Sequence, residues 1–288
     1  MSDNLSSPLQ PTSAYLLVSH GSSDPRPQRA MDQIAADVAQ KLQHLQSVAY
    51  AENPIPERAF NFWGGDLDSD RVGAAVATSS AALSVVGSAC LECHPLSLHE
   101  QIQVFGHQAI AQGCSRLQIL PMFLLSGKHL MEDIPAEIEL AQTTLPETFS
   151  LALLPHIGTH ANLSRLLTTY LAGRPVEVWV LLAHGSRRAT ANAPVEQLAQ
   201  RLGAITAYWS ISPDLASQLA ELQAQGYRRI AILPYFLFAG GITDAIGQTV
   251  VQLSQQFPDL ELMLAEPLQA IVELSDLVVD LIQSYPLN

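Results

Sequence analysis

The sequence predicts an α/β protein made of two tandem homologous domains, each a doubly wound parallel sheet, with a cleft between them. Short apolar runs alternate with amphipathic segments along the chain, which is typical of parallel strands joined by helices. The order also repeats, because AQGCSRLQILPMFL at 111–124 matches AQGYRRIAILPYFL at 224–237. Duplication of one β-α-β-α-β-α-β-α unit explains both observations.

The first domain is predicted at 14–172, after a flexible tail at 1–13. Its first strand is an apolar run that stops abruptly in Ser19-His20-Gly21-Ser22. A helix should follow, because Ile34, Val38, Leu42 and Leu45 recur at helical spacing. The remaining predicted strands are 83–93, 117–125 and 150–154, and the remaining helices are 97–112, one that ends near 142, and 162–171.

The second domain is predicted at 176–288, beyond a Gly- and Pro-containing hinge at 172–175. It repeats the order of the first domain. Its predicted strands are 178–182, 204–210, 229–238 and 260–264, and its predicted helices are 194–202, 215–225, 243–256 and 272–284.

The first domain is predicted to carry an insertion at about 46–82. His20 and His184 are 164 positions apart, whereas Pro121 and Pro234 are 113 apart, so the first half is about 51 residues longer between its His and its Pro. The composition of this stretch is that of a loop with aromatic and acidic residues. Either a surface excursion or a flap over a pocket fits it.

Composition excludes several classes of function. The net charge of −13, without a run of Lys or Arg, argues against nucleic-acid binding and against an anionic membrane surface. No apolar run approaches the roughly 20 residues that span a bilayer, and the polar N-terminus does not resemble a targeting peptide. A cytoplasmic protein is therefore expected. Three cysteines provide no disulfide framework.

Three strand ends of the first half carry groups that bind metals. His20, Glu92 and His129 each follow a predicted strand. Because the carboxyl ends of parallel strands meet at one edge of the sheet, these side chains should converge on one crevice. Two imidazoles and a carboxylate suit a divalent metal such as Fe, Co, Ni or Zn. The sequence does not choose among these metals.

The second half serves as an internal control. It keeps His184, but Tyr208-Trp209-Ser210 replaces Leu91-Glu92, and AGGITD at 239–244 replaces the segment that carries His129. A single active site in the first half is therefore expected, with the second half as a lid or wall. His184 either faces the cleft or caps its strand. The Cys90-x-x-Cys93 pair lacks a second pair and is interpreted as structural rather than as a zinc site.

The motifs SHGSSD, CLECHPLSLHE and LPMFLLSGKHLMEDIP together resemble the class II chelatases, the sirohydrochlorin ferrochelatases and cobaltochelatases. The two-lobed form with a degenerate second half is similar to the long members of that family. The resemblance implies insertion of Fe²⁺ or Co²⁺ into sirohydrochlorin for sirohaem or cobalamin synthesis, with Ni²⁺ a further candidate in vitro. His20 and His129 would handle the metal and Glu92 would assist deprotonation of the pyrroles. The 46–82 segment lies outside the family pattern, and the chain lacks the Cys- or His-rich tail that would hold an iron–sulfur cluster, so none is expected.

A polyanionic tetrapyrrole must meet local positive charge on this acidic protein. Five of its 14 basic residues lie beside the strand-end motifs. The predicted substrate-binding residues are Ser22, Arg26, Arg29, Lys128, Arg187 and Arg188. The predicted apolar slot for the macrocycle consists of Phe123, Leu124, Leu125, Met131, Phe236 and Phe238.

Two other functions stay open at this point. A carrier of metal or tetrapyrrole would use the same histidines without needing Glu92. A metal-dependent hydrolase would need an open coordination position but no apolar slot. A monomer is expected, since the two halves are already fused.

Overall fold

The computed structural model describes residues 12–52 and 85–285. The first half contains β1 (Thr12–Ser19), α1 (Pro25–Glu52), β2 (Val85–Cys90), α2 (Leu98–Ala111), β3 (Cys114–Pro121), α3 (Ile134–Gln142), β4 (Ser150–Leu153) and α4 (Ala161–Ala172). A π-helical turn, His129–Asp133, precedes α3, and a 3₁₀ turn, Ile157–Thr159, precedes α4.

The second half repeats this order. It contains β5 (Val178–Ala183), α5 (Ala189–Leu202), β6 (Ile205–Tyr208), α6 (Leu215–Ala224), β7 (Arg229–Pro234), α7 (Gly241–Gln256), β8 (Glu261–Leu264), α8 (Leu268–Ile271) and α9 (Leu274–Ser284). None of the helices described is long and apolar enough to cross a membrane.

Each half forms a four-stranded parallel sheet with the same strand order. The first sheet is ordered β2-β1-β3-β4 and the second β6-β5-β7-β8. β1 lies between β2 and β3, so that Val18 pairs with Ala89 on one side and with Pro121 on the other. The predicted fold class, two tandem doubly wound domains, is confirmed. This order places the carboxyl ends of β1, β2 and β3 side by side.

Several predicted boundaries differ from the structure. β1 begins at Thr12, inside the predicted tail, and α1 continues to Glu52, so residues 46–52 of the predicted insertion are helical. Residues 53–82 of that insertion, and 1–11 of the tail, lie outside the described residues. β2 stops at Cys90 rather than at residue 93, because its partner β1 ends at Ser19 and leaves no strand to pair with.

Other differences have local causes. β3 and β7 end at Pro121 and Pro234, four residues short of the predicted ends, since the chain beyond each proline has no further strand pairing. The helix predicted at 272–284 begins at Leu274 as α9, because the extended Val272 separates it from the short α8, which was not predicted. α5 begins five residues before the predicted start.

The two halves share one hydrophobic core. A central cluster lies between the sheets and joins α1 and α4 of the first half to α5 and α9 of the second, with Val38, Leu167, Leu198 and Leu277 among its buried members. A first outer cluster lies on the other face of the first sheet, around Leu16, Ile102 and Ile119. A second outer cluster lies on the far face of the second sheet, around Val180, Leu219 and Ile232.

Polar contacts reinforce the junction between the halves. The Lys41 ammonium on α1 donates to the hydroxyl of Ser275 on α9 at 2.7 Å and pairs with Asp276. The Arg26 guanidinium donates to both carboxylate oxygens of Asp244 on α7, with an Nη1–Oδ1 distance of 3.0 Å. The first turn of α1, directly after the loop that follows β1, is therefore held by the second half.

Candidate metal centre

The turn after β1 brings His20 next to Glu92. The amide of Glu92 donates to the carbonyl oxygen of His20 at 2.9 Å, which continues the pairing of β1 with β2 by side-by-side loops. Gly21 makes this approach feasible, because its φ is +96° and a Cβ there would lie 1.9 Å from the Glu92 carbonyl oxygen. The His20 Nδ1 and Glu92 Oε2 atoms are 3.7 Å apart.

His129 enters the same crevice from the π-helical turn after β3. Amides of Leu130 and Met131 both donate to the Gly127 carbonyl, which starts the turn. The ring centroids of His20 and His129 are 4.7 Å apart and the rings meet edge to face at 80°. Ligand atoms of His20, Glu92 and His129 all lie within 4.8 Å of one another.

Asp133 orients the His129 ring. Its carboxylate lies 2.8 Å from Nδ1 of His129, which is four residues earlier in the same π-helical turn. Lys128 also donates to this carboxylate at 3.2 Å. Hydrogen bonds from Lys128 and then from His129 hold the pKa of Asp133 below its usual range. A carboxylate bound to Nδ1–H fixes the tautomer and leaves Nε2 to bind a metal.

The cluster is open to solvent. The side chains of His20, Glu92 and His129 are 53%, 50% and 35% exposed. Closed structural metal sites usually saturate the ion with protein ligands, whereas sites that exchange or process a ligand keep coordination positions free. Three neighbouring ligands on an open surface are suited to holding a metal that must leave again.

The side of the cluster is formed by Phe123, whose ring centroid is 6.3 Å from that of His20. The Phe123 carbonyl lies 2.8 Å from Nδ1 of His156 and accepts from the amide of Gly158 at 3.0 Å. Burial lowers the pKa of His156, which keeps its ring neutral and able to donate to that carbonyl. His156 thus supports the segment between β3 and His129.

The second half keeps the backbone arrangement of this site but not its cluster of metal-binding side chains. The amide of Ser210 donates to the His184 carbonyl at 2.9 Å, so Ser210 stands where Glu92 stands in the first half. Gly185 has φ +84°, as Gly21 has +96°. Within the described ranges, the only group of three or more residues able to hold a metal ion is the one in the first half.

The predicted substrate-binding residues fall into two sets. Arg26 pairs with Asp24 and Asp244, Lys128 pairs with Asp133, and the Ser22 hydroxyl accepts from the amide of Asp24. The other three, Arg29, Arg187 and Arg188, are exposed and form no ion pair within 12–52 and 85–285. Their role in binding a substrate stays a prediction.

The six residues predicted to form an apolar slot do not lie on one surface. Leu124, Leu125 and Phe238 pack against the central cluster. Phe123 packs against the first outer cluster and Phe236 against the second. Met131 is 68% exposed beside His129. All six residues lie beyond the ends of β3 and β7, where the alternation of a strand no longer sets the direction of a side chain.

Sequence reasoning assigned no role to three residues that support the site. Asp133 could have been found from its spacing of four residues after His129, which places two side chains on one helical face. His156 and Asp244 are different, because their partners Phe123 and Arg26 are distant in sequence. Cys90 and Cys93 were predicted to lie together on one strand. Cys90 is the last residue of β2, whereas Cys93 lies beyond it, is exposed and has a φ of +62°.

The fold and the cluster together define a two-lobed α/β protein with one open metal-binding centre at the carboxyl edge of its first sheet. The chain belongs to the CbiX family, whose model matches residues 70–172 and 178–285. The first match begins within the predicted insertion, and the boundary between the two matches coincides with the predicted hinge.

Two curated proteins and one solved structure are similar to this chain. A sirohydrochlorin ferrochelatase of Priestia megaterium is 27% identical over 164 residues, covering 51% of this chain and 61% of the relative. A sirohydrochlorin cobaltochelatase of the same organism is 27% identical over 172 residues, covering 54% of this chain and 56% of the relative. The matches therefore span about three-fifths of the curated relatives. The structure of SirB from Bacillus subtilis with Fe³⁺ covers 95% of each chain at 20% identity, with a TM-score of 0.63, and shows the fold alone.

Proposed function

We propose that this protein is a sirohydrochlorin chelatase that inserts Fe²⁺ or Co²⁺ into the tetrapyrrole. The observation that carries the proposal is the open cluster of His20, Glu92 and His129 at the carboxyl edge of the first sheet. The family membership and the names of the two curated relatives support it. The metal is a substrate here, so its site has to release it.

The roles of the three residues follow from their chemistry. His20 and His129 offer imidazole nitrogens, which suit Fe²⁺ and Co²⁺ and avoid the thiolate ligands of permanent sites. Two pyrrole N–H protons must leave as the metal enters the ring. Glu92, half-exposed and 3.7 Å from His20, is suited to accept a proton and pass it to water.

The substitution Glu92→Gln tests the proposal, because it keeps the shape of the side chain and removes its basicity. We expect metal binding to fall modestly and the rate of metallation, followed by the absorption change of sirohydrochlorin, to fall by about 10²–10⁴-fold. The exposed Glu139→Gln is the matched control and should leave the rate unchanged.

The same experiment separates the proposal from a carrier function. A wild-type protein that binds Co²⁺ and sirohydrochlorin but does not accelerate their combination over the spontaneous reaction would be a carrier. An unchanged rate in Glu92→Gln would remove the proposed role of Glu92 alone. Comparing the wild-type rates with Fe²⁺ and Co²⁺ at equal free metal assigns the preferred ion.

A further inference from the structure

A small cavity lies between the two halves and includes none of the three residues of the metal centre. Its volume is about 180 Å³. It is bounded by the segment after β3, the start of α4, the carboxyl-terminal half of α5 and the residue after β7. Its lining contains no Asp or Glu. The lining residues used below are Leu124, Ala161, Ser164, Gln197, Arg201 and Tyr235.

Tyr235 presents an unpaired hydroxyl to this cavity. The residue is only 6% exposed, and its hydroxyl forms no hydrogen bond within the described residues. Gln118 Oε1 is the one fully buried side-chain N or O atom without a partner in the described residues, so the Tyr235 hydroxyl is the accessible part of a largely buried side chain and is free to bond a group in the cavity. Burial raises the pKa of Tyr235 to about 12, so the phenol stays protonated and is available as a donor.

Arg201 supplies positive charge next to this phenol. It lies on the last turn of α5, and its charge is close enough to oppose the rise in the pKa of Tyr235. It forms no ion pair with any residue in the described part of the chain. No Asp or Glu lines the cavity, although the Asp280 carboxylate lies 3.7 Å from Nε2 of the lining residue His160, so Arg201 at its edge can pair with a carboxylate or phosphate.

The N-terminus of α4 faces the same space. The His160 ring caps this 12-residue helix by accepting from the amide of Asn162 at 3.1 Å. The amide of Ala161, which lines the cavity, makes no hydrogen bond within the described ranges. The free amide of Ala161 and the helix dipole both favour an anion at this position. The side chains of Ser164 and Gln197 add further neutral hydrogen-bonding groups to the lining.

We propose that this cavity binds an oxyanion of the size of a carboxylate or phosphate group, held by Tyr235, Arg201 and the amino end of α4. The volume suits such a group, because pockets for whole cofactor-sized ligands are about 300–1,000 Å³. The proposal goes beyond the metal insertion, and only its tetrapyrrole source rests on the proposed function. The oxyanion is either a free small anion or a carboxylate arm of the tetrapyrrole, since Leu124 connects the cavity to the segment that leads to His129.

Calorimetric titration of the full chain with inorganic phosphate tests the proposal for a free anion. We expect Arg201→Met to weaken phosphate binding by about tenfold or more, and Tyr235→Phe to weaken it by roughly three- to tenfold. Arg165→Met is the matched control: it removes one exposed positive charge from α4 outside the cavity lining and should change the affinity little.

Thermal unfolding distinguishes loss of a binding group from loss of the fold. Without phosphate, Tyr235→Phe should unfold at the wild-type temperature or slightly above it, because the hydroxyl that it removes has no partner in the described structure. Phosphate should raise the unfolding temperature of the wild-type protein and of Arg165→Met, and raise that of Tyr235→Phe and Arg201→Met much less.

The second arm uses metal-free sirohydrochlorin, with binding followed by absorption, so that it is independent of any metallation activity. If phosphate does not bind but both cavity variants weaken sirohydrochlorin binding relative to Arg165→Met, the oxyanion is a carboxylate of the tetrapyrrole. If neither variant changes the affinity for either probe, the proposal is overturned and Arg201 serves only the carboxyl end of α5.

Discussion

At the scale of single residues, the direction of a metal-binding histidine depends on side chains outside the cluster of three. His129 is held by Asp133, and Asp133 is held in turn by Lys128. His156 secures the carbonyl of Phe123, which lies between β3 and His129. These contacts fix the direction of one imidazole in a segment that has only a single π-helical turn for support.

The orientation of His129 yields the first prediction. Asp133→Asn should lower the affinity for Co²⁺ by roughly 10–100-fold, because the neutral amide no longer favours the Nδ1–H tautomer that leaves Nε2 free. Titration followed by the visible spectrum of bound Co²⁺ measures this change. Glu132→Gln removes the same charge from the neighbouring exposed residue and should have little effect. Equal affinities in the two variants would contradict a positioning role for Asp133.

The burial of His156 predicts a pH dependence of stability. Because its pKa is lower in the folded state than the ordinary value of about 6.5, the unfolded chain binds more protons as the pH falls through that value. The contribution of this site is complete above the ordinary pKa and declines on acidification. His156→Asn keeps an N–H donor for the Phe123 carbonyl and cannot be protonated in this range.

Urea denaturation at several pH values between 7 and 5 measures the effect. The unfolding free energy of His156→Asn should fall less steeply with decreasing pH than that of the wild-type protein. His107→Asn, at an exposed position of α2, is the control. A wild-type slope in His156→Asn would mean that the buried ring does not contribute to acid destabilisation.

At the scale of elements, the loop after β1 is determined by one close backbone contact. Gly21 permits both the positive φ and the approach of the Glu92 carbonyl. Gly113 offers a matched comparison, because its φ is +83° but no atom lies within 4 Å of a Cβ placed there. The two glycines separate the cost of the backbone conformation from the cost of the steric contact.

Gly113→Ala should destabilise the protein by about 1–2 kcal/mol, the usual cost of a left-handed conformation for a residue with a Cβ. Gly21→Ala should cost more and should also weaken Co²⁺ binding, since the backbone of Glu92 has to move. Chemical denaturation and metal titration of both variants provide the measurement. Metal affinity unchanged in Gly21→Ala would show that this contact does not position Glu92.

At the scale of the whole molecule, the two halves are joined by a common core and by ion pairs. The second half also supplies Asp244, which lies in the first turn of α7 and corresponds in the repeat to Asp133, the residue before α3. Asp133 holds a histidine of its own half, whereas Asp244 holds Arg26, six residues after His20. The second half therefore anchors the first turn of α1 near the metal centre, although within the described residues it forms no metal-binding cluster of its own.

A shared core predicts one cooperative unfolding transition. Ile102→Ala, in the first outer cluster, should destabilise the protein by about 2–5 kcal/mol. In a Trp63→Phe background, fluorescence reports only Trp179 and Trp209 of the second half. The fluorescence midpoint should nevertheless shift as much as the circular dichroism midpoint. A fluorescence transition that Ile102→Ala leaves in place would mean that the halves unfold separately.

Local patterns predicted most of the elements and the three groups of the centre. The apolar runs located every described strand. The positions of His20, Glu92 and His129 after predicted strands indicated that they would meet, and the structure brings their ligand atoms within 4.8 Å of one another. Element ends were less accurate, as at β2 and β3, because a strand stops where its partner stops. Five of the six residues predicted to form an apolar slot pack against three different clusters and Met131 is exposed, since the segments beyond β3 and β7 no longer follow the regular alternation of a strand.

The sequence by itself determined the duplicated parallel α/β fold and the asymmetry between a half with three metal-binding groups and a half with one. Periodicity and repeated motifs record these features, because each depends on neighbours along the chain. Only the tertiary structure decided that Asp244 holds Arg26, that His156 supports Phe123, and that Tyr235 and Arg201 meet in a cavity. These contacts join residues that are far apart in sequence, and no local spacing encodes the distance between them.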